Sequence, residues 1–292
     1  MNKRNTIIMI ILFFIGLLTL FYPTLSNYYN EKIGSKTIYN YENIIDSYDF
    51  NKFKEIKDNA IKYNKDLSKL SDPLIDYKEI KNYENILNVN DEGMMGYLSI
   101  DKIRVEIPIY HGTSNDTLNS FVGHVEGTSL PIGGISTHSV LSAHRGLPSA
   151  KLFSDLDKLE IGDTFKIIVL DEVLTYKVDK ISIVKPNNSK ELMNVKDKDY
   201  VTLITCTPYG INTHRLLVRG IRVDNNVNKF YISTEGFKIN KLIVIPILTL
   251  PIIILLILII VIKPVKKSNN MIFKKCLYPN EKDYFRGVIW NI

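Results

Sequence analysis

Among the residues able to do chemistry in this 292-residue sequence, Cys206 has the most suggestive surroundings. It follows the run Val201-Thr202-Leu203-Ile204-Thr205 and precedes the turn signal Thr207-Pro208-Tyr209-Gly210, after which a second strand-like run opens at His214-Arg215. If the two runs pair as a hairpin, Cys206 and Arg215 stand at its two shoulders as near neighbours. A guanidinium beside a thiol favours the thiolate and can bind negative charge developing on a carbonyl oxygen. Arg215 could equally be a solvated strand residue, and spacing alone leaves both readings open.

Thiolate chemistry also wants an acid or base, most often histidine. The five candidates are His111, His124, His138, His144 and His214. His144, in Leu141-Ser142-Ala143-His144-Arg145-Gly146, ends a short apolar run before a Gly/Pro loop, where a side chain can face a cleft. His111 and His124 sit in glycine-containing turns, where imidazoles more often bond backbone groups. His214 has the opposite strand parity to Arg215 and points away if Arg215 points in. Residue logic therefore favours His144. No His/Cys/Asp/Glu cluster has metal spacing, and Ile132-Gly133-Gly134 lacks the Lys-Ser/Thr of a phosphate loop, so neither metal nor cofactor is expected.

The elements that must hold these residues are short and alternate with period two. The segments 97–110, 165–170, 173–184, 200–205 and 215–223 are β-branched or alternating runs separated by Gly, Pro, Asn and Asp. They predict a closed or nearly closed antiparallel sheet, an all-β barrel with peripheral helices. Before them, about 27–88 is rich in Lys, Asn, Glu, Asp and Tyr, with Ile44/Ile45, Tyr48, Phe53, Ile56, Ala60, Ile61, Tyr63 and Leu67 at helical spacing. That pattern predicts one or two amphipathic helices ending near Ser71-Asp72-Pro73.

Composition excludes several classes. With 45% hydrophobic and 23% charged residues the chain is too apolar for disorder, and two cysteines do not make a disulfide scaffold. Two uncharged blocks stand out, 6–22 and 242–262, the second long enough to cross a hydrocarbon core of about 30 Å. The net charge of +6 is carried outside these blocks: 1–22 holds +2 and 263–292 holds +5, leaving −1 for 23–262. Basic ends beside apolar spans fit the positive-inside rule and argue against a nucleic-acid partner. The expected organisation is a cytoplasmic terminus (1–5), a transmembrane anchor (6–22), a helical region (23–92), a barrel (93–223), a tether (224–241), a second transmembrane helix (242–262) and a basic cytoplasmic tail (263–292). The first block is also short enough to be a signal-peptide core, but no Ala-x-Ala site follows it, which favours a retained anchor. On this topology Cys206 is exported and Cys276 is cytosolic, so they cannot pair. Cys206 is then an inert filler, a bridge to another chain or a reactive thiol.

The stretch TLITCTPYGINTHRLLVRG, 202–220, resembles the cysteine strand and downstream arginine of sortases, the membrane-anchored cysteine transpeptidases of Gram-positive surfaces. The likeness continues through GYLSIDKIRVEIPIYHGTS, GHVEGTSLPIGG and LSAHRGLPSAKLFSDLDKLEIGDTF, over about 40–223. Two apolar segments and a long helical region make the chain similar to the class C, pilin-polymerising members. The resemblance implies an eight-stranded β-barrel with Cys206 as nucleophile, His144 as acid/base partner and Arg215 as stabiliser of the oxyanion. It implies cleavage of an LPxTG-like sorting signal between Thr and Gly, a thioester on Cys206, and its transfer to a lysine of the next pilin. Pilins or surface proteins bearing that signal would be the partners, beside the lipid bilayer, and the enzyme would act as a monomer.

Class C sortases often carry an Asp-Pro-aromatic lid before the barrel. Asp72-Pro73-Leu74, within 71–77, is the matching segment, with leucine in place of the ring. The resemblance implies that Asp72 pairs with Arg215 and covers the site at rest; the same residues could be an ordinary helix-ending turn. The competing readings are a sortase that attaches proteins to cell-wall peptide, and a membrane-tethered β-domain that binds without catalysis.

Overall fold

The computed structural model describes residues 3–89, 91–225, 251, 254 and 255. Most of the expected second span, most of the tether, the basic tail and Cys276 lie outside the described residues.

Among the described residues within 3–225, four α-helices and eight strands carry the fold. Helix α1 (Lys3–Asp46) runs without a break from the first apolar block into the helical region, with Pro23 inside it. The anchor and the first amphipathic helix expected from the sequence are thus one element. Its N-terminal part is long and apolar enough to cross a membrane, and Ile7, Met9, Leu12, Leu18 and Leu20 are exposed along it. Its C-terminal part buries Ile38, Tyr41 and Ile45 on the barrel. The Tyr41 hydroxyl donates to the Met95 carbonyl (3.1 Å) and accepts from the Leu170 amide (2.8 Å), so a large buried ring also satisfies two backbone groups.

Helix α2 (Phe50–Leu67) starts at Asp49, whose carboxylate accepts from the Lys52 amide as an N-cap (2.8 Å). Its buried face is Ala60, Tyr63, Asn64 and Leu67. Asn64 behaves like an added strand residue: its oxygen accepts from the Leu130 amide (2.7 Å) and its nitrogen donates to the Leu130 carbonyl (3.3 Å). After α2 comes the single turn α3 (Pro73–Asp76).

The strands β1 (Met94–Ile100), β2 (Val105–His111), β3 (Val122–His124), β4 (Thr137–Ser142), β5 (Thr164–Val169), β6 (Glu172–Val184), β7 (Asp199–Thr207) and β8 (His214–Arg222) close a barrel in the order 1-2-3-4-7-8-6-5. Two pairs correct the antiparallel expectation: β2 with β3, and β4 with β7, are parallel. The physical reason is connectivity. The chain returns to the β2 edge through α4 (Asn115–Leu118), and reaches the β4 edge only after building β5 and β6, so neither pair is a hairpin. Leu98, Ile109, Leu141, Phe165, Ile167, Leu203 and Val218, all fully buried, belong to the core.

Candidate active site

Alternation along β7 decides which residues face the core. Val201, Leu203 and Thr205 are buried on one side, and Ile204 and Cys206, both half-buried, fall on the other. Cys206 is a free thiol. On β8 its direct partner is Arg215, as the hairpin reading predicts, and Thr207 faces His214. On the other flank β4 pairs in parallel, Ser142 beside Ile204. The register runs on past that strand's end: the Ala143 amide donates to the Ile204 carbonyl (3.2 Å) and the Thr205 hydroxyl donates to the Ala143 carbonyl (2.8 Å). This brings His144 to the level of Cys206. The backbone positions of His144, Cys206 and Arg215 are therefore at one level on three neighbouring stretches of chain.

The other histidines are occupied elsewhere. His124 is fully buried, with Nδ1 on the Tyr83 hydroxyl (2.8 Å) and Nε2 on the Ser129 carbonyl (2.9 Å), and burial pushes its pKa down to about 4. His111 lies against the carbonyls of Gly93 and Ile86, and His138 against the Met193 carbonyl and the Thr202 hydroxyl; burial lowers both. His214 faces away from Arg215 by strand parity and meets the Thr213 hydroxyl (3.0 Å). His144 is half-buried, and its ring makes no hydrogen bond among the described residues. It alone of the five combines the level of Cys206 with an unoccupied ring.

The Arg215 guanidinium donates through Nη1 to the carbonyls of Asn212 (3.3 Å) and His214 (3.2 Å) in its own turn. That geometry differs from the expected pairing with Asp72: no ion pair joins the two, because Arg215 folds back on its turn. Asp72 keeps Oδ1 buried without a partner. The Asp72-Pro73-Leu74 segment packs instead on Gly127, whose backbone is left-handed (φ +80°). A Cβ there would stand 2.5 Å from the Pro73 oxygen and 2.7 Å from the Leu74 Cα. Pro73 and Leu74 line a cavity of about 330 Å³ with Thr128, Met193 and Asn194; Cys206, His144 and Arg215 do not line it. Among the described residues no His/Cys/Asp/Glu cluster could hold a metal ion.

Residues that the sequence reading passed over surround this row. Arg145 reaches from the His144 loop to Thr207 and to Asp157, and Tyr209 packs beside it. Nothing in the sequence marks Arg145 apart from its place next to His144.

Residues 98–223 match the family model described as the sortase domain. The crystal structure of sortase C1 from Streptococcus agalactiae is 49% identical, with a TM-score of 0.60, covering 65% of this chain and 100% of that one. The chain is a sortase. Sortase C from Streptococcus pneumoniae is 44% identical at a TM-score of 0.59, over 65% of this chain and 97% of that one. Sortase D of Bacillus subtilis is 31% identical over 131 residues, 44% of this chain and 63% of that protein's length. Sortases are cysteine transpeptidases, and in this one the free thiol of Cys206 lies on the strand between Arg215 and the stretch that leads into His144.

Proposed function

We propose that this sortase cleaves an LPxTG-like sorting signal between Thr and Gly and passes the acyl group to a pilin lysine. The Cys206 thiolate attacks the Thr carbonyl, and Arg215 binds the oxyanion and substrate backbone. The His144 imidazolium protonates the departing glycine amine as the C–N bond breaks, leaving a thioester on Cys206. Neutral His144 then takes a proton from the incoming lysine amine, which attacks the thioester and releases the thiolate as an isopeptide bond forms. Two acyl transfers through a good leaving group replace one direct attack of an amine on an amide. The observation that carries this reading is the common level of His144, Cys206 and Arg215 across β4, β7 and β8.

Asp72, Pro73 and Leu74 act as a lid in this reading, seated on Gly127 at rest. The barrel is exported, with spans at 6–22 and 242–262 and both termini cytoplasmic; the charge balance of the ends supports this. The pilin acceptor is favoured because the similar S. pneumoniae enzyme is described in terms of pilin substrate specificity. Mass spectrometry of products formed with a sorting peptide and a pilin subunit tests it. A Thr-to-lysine isopeptide is expected, whereas transfer only to cell-wall peptide would make this a wall-anchoring sortase.

A further inference from the structure

A single guanidinium ties the His144 loop to the strand end that carries Cys206. The Arg145 side chain is only 9% exposed. Its Nη1 donates to the hydroxyl of Thr207, the residue after Cys206 (3.3 Å), and its Nη2 donates to the Asp157 carboxylate (2.5 Å). Its Cζ lies 5.8 Å from the centroid of the Tyr209 ring, in the turn between β7 and β8. That ring also rests on Gly146, where a Cβ would come within 3.1 Å of it. The same loop is held from behind by the Phe153 amide on the His144 carbonyl (3.2 Å) and by the Gly146 amide on the Ser154 hydroxyl (3.1 Å).

A nearly buried cation is an expensive way to add stability. Desolvation offsets most of its pairing energy, and here Nε is left without a hydrogen-bond partner. What the planar fork adds over an apolar side chain of equal size is direction: it fixes two acceptors in one plane. Those acceptors belong to β7 and to the Asp157 stretch, on either side of the loop that bears His144.

We propose that Arg145 is a positioning residue, which sets His144 against Cys206 by bridging Thr207 and Asp157 from within the His144 loop. The inference rests on the proposed roles of Cys206 and His144. It makes Arg145 act through the geometry of the pair, with no contact to substrate.

The test compares the full-length chain in vesicles with its Arg145→Met, Arg145→Lys, Thr207→Val and Cys206→Ala variants. Steady-state cleavage of a sorting peptide is normalised to folded enzyme and followed from pH 5 to 9. For Arg145→Met a 10- to 100-fold fall in kcat is expected, with KM within threefold and the pH–rate profile moved by at least half a unit. Arg145→Lys, which keeps the charge but loses the fork, should stay within threefold of Arg145→Met. Full recovery with lysine would overturn the proposal, because charge alone would then suffice. Native kcat and pH profile in folded Arg145→Met, whatever its melting temperature, would also overturn it. Should that variant not fold, Thr207→Val reads the same link: a loss of kcat of at least threefold at unchanged melting temperature supports the proposal, and native kinetics overturns it. If Cys206→Ala is dead while the Arg145 variants are native-like, only the positioning role fails. An active Cys206→Ala would remove the catalytic reading itself.

Discussion

Cys206 on β7 and Arg215 on β8 are direct cross-strand partners at the end of one hairpin. Such partners hold their Cβ atoms about 5 Å apart, within reach of a long side chain. The Nη1 bonds of Arg215 to the Asn212 and His214 carbonyls hold the guanidinium while leaving its other donors without partners among the described residues. Those donors are what a developing oxyanion would use.

Arg215→Ala should therefore lower kcat/KM for sorting-peptide cleavage by about 10²- to 10³-fold, the loss typical of one oxyanion donor. Arg215→Lys should recover only part of it, since an ammonium cannot bond its own turn and the substrate with the same fork. Steady-state kinetics on both variants checks this; native rates in Arg215→Ala would contradict it.

Gly127 seats the Asp72-Pro73-Leu74 segment, the proposed lid. A methyl there meets the Pro73 oxygen and Leu74 Cα well inside contact distance and imposes a left-handed φ on alanine. Gly127→Ala should displace Asp72-Pro73-Leu74 and speed alkylation of Cys206 by a neutral thiol reagent at least fivefold. Asp72→Ala and Leu74→Ala should act in the same direction. Unchanged labelling and peptide cleavage in all three would remove the lid role.

Helix α1 clips the loop that follows His144. Asn27 accepts from the Lys151 amide (2.6 Å) and Asn30 donates to the Ser149 carbonyl (2.8 Å). Replacing both with alanine leaves part-buried backbone groups to find other partners, at a cost of up to about 1–3 kcal/mol for each left unmet. Hydrogen exchange should rise at least tenfold over 144–151 while α2 keeps its protection; equal protection in both segments would show that the clip is idle.

Stability should fall with acid through the histidines. His124 has a native pKa of about 4 because burial disfavours its charged form, while the unfolded imidazole takes its proton near 6.5. Between those values the unfolded chain binds more protons. The contribution is thus complete above pH 6.5 and is lost as the pH falls toward 4, by about 3 kcal/mol. Burial shifts His111 and His138 in the same direction. Denaturant titrations of native protein and His124→Gln should show the variant with the flatter pH dependence; parallel curves would contradict the assignment.

The sequence revealed what local contacts build. The Cys206–Arg215 neighbourhood was readable because a turn joins the two strands, and β5 to β8 were readable from their period. Strand β3 was not, since Val122–His124 is too short to show one. Strand β4 was not either, because His138 to Leu141 are all buried, which hides alternation. The parallel β4–β7 pair is non-local, so His144 could be favoured but not placed. Arg145 was invisible because its worth lies in Thr207, Asp157 and Tyr209, which only the folded chain gathers around it.

The proposed transpeptidation stands on a thioester at Cys206. Intact-mass analysis of full-length enzyme mixed with a sorting peptide, quenched in acid before turnover completes, tests it most directly. An adduct equal to the peptide up to and including its Thr is expected, mapped to Cys206, absent in Cys206→Ala and strongly reduced in His144→Ala. Cleavage without any adduct, or an adduct that persists in Cys206→Ala, would contradict it.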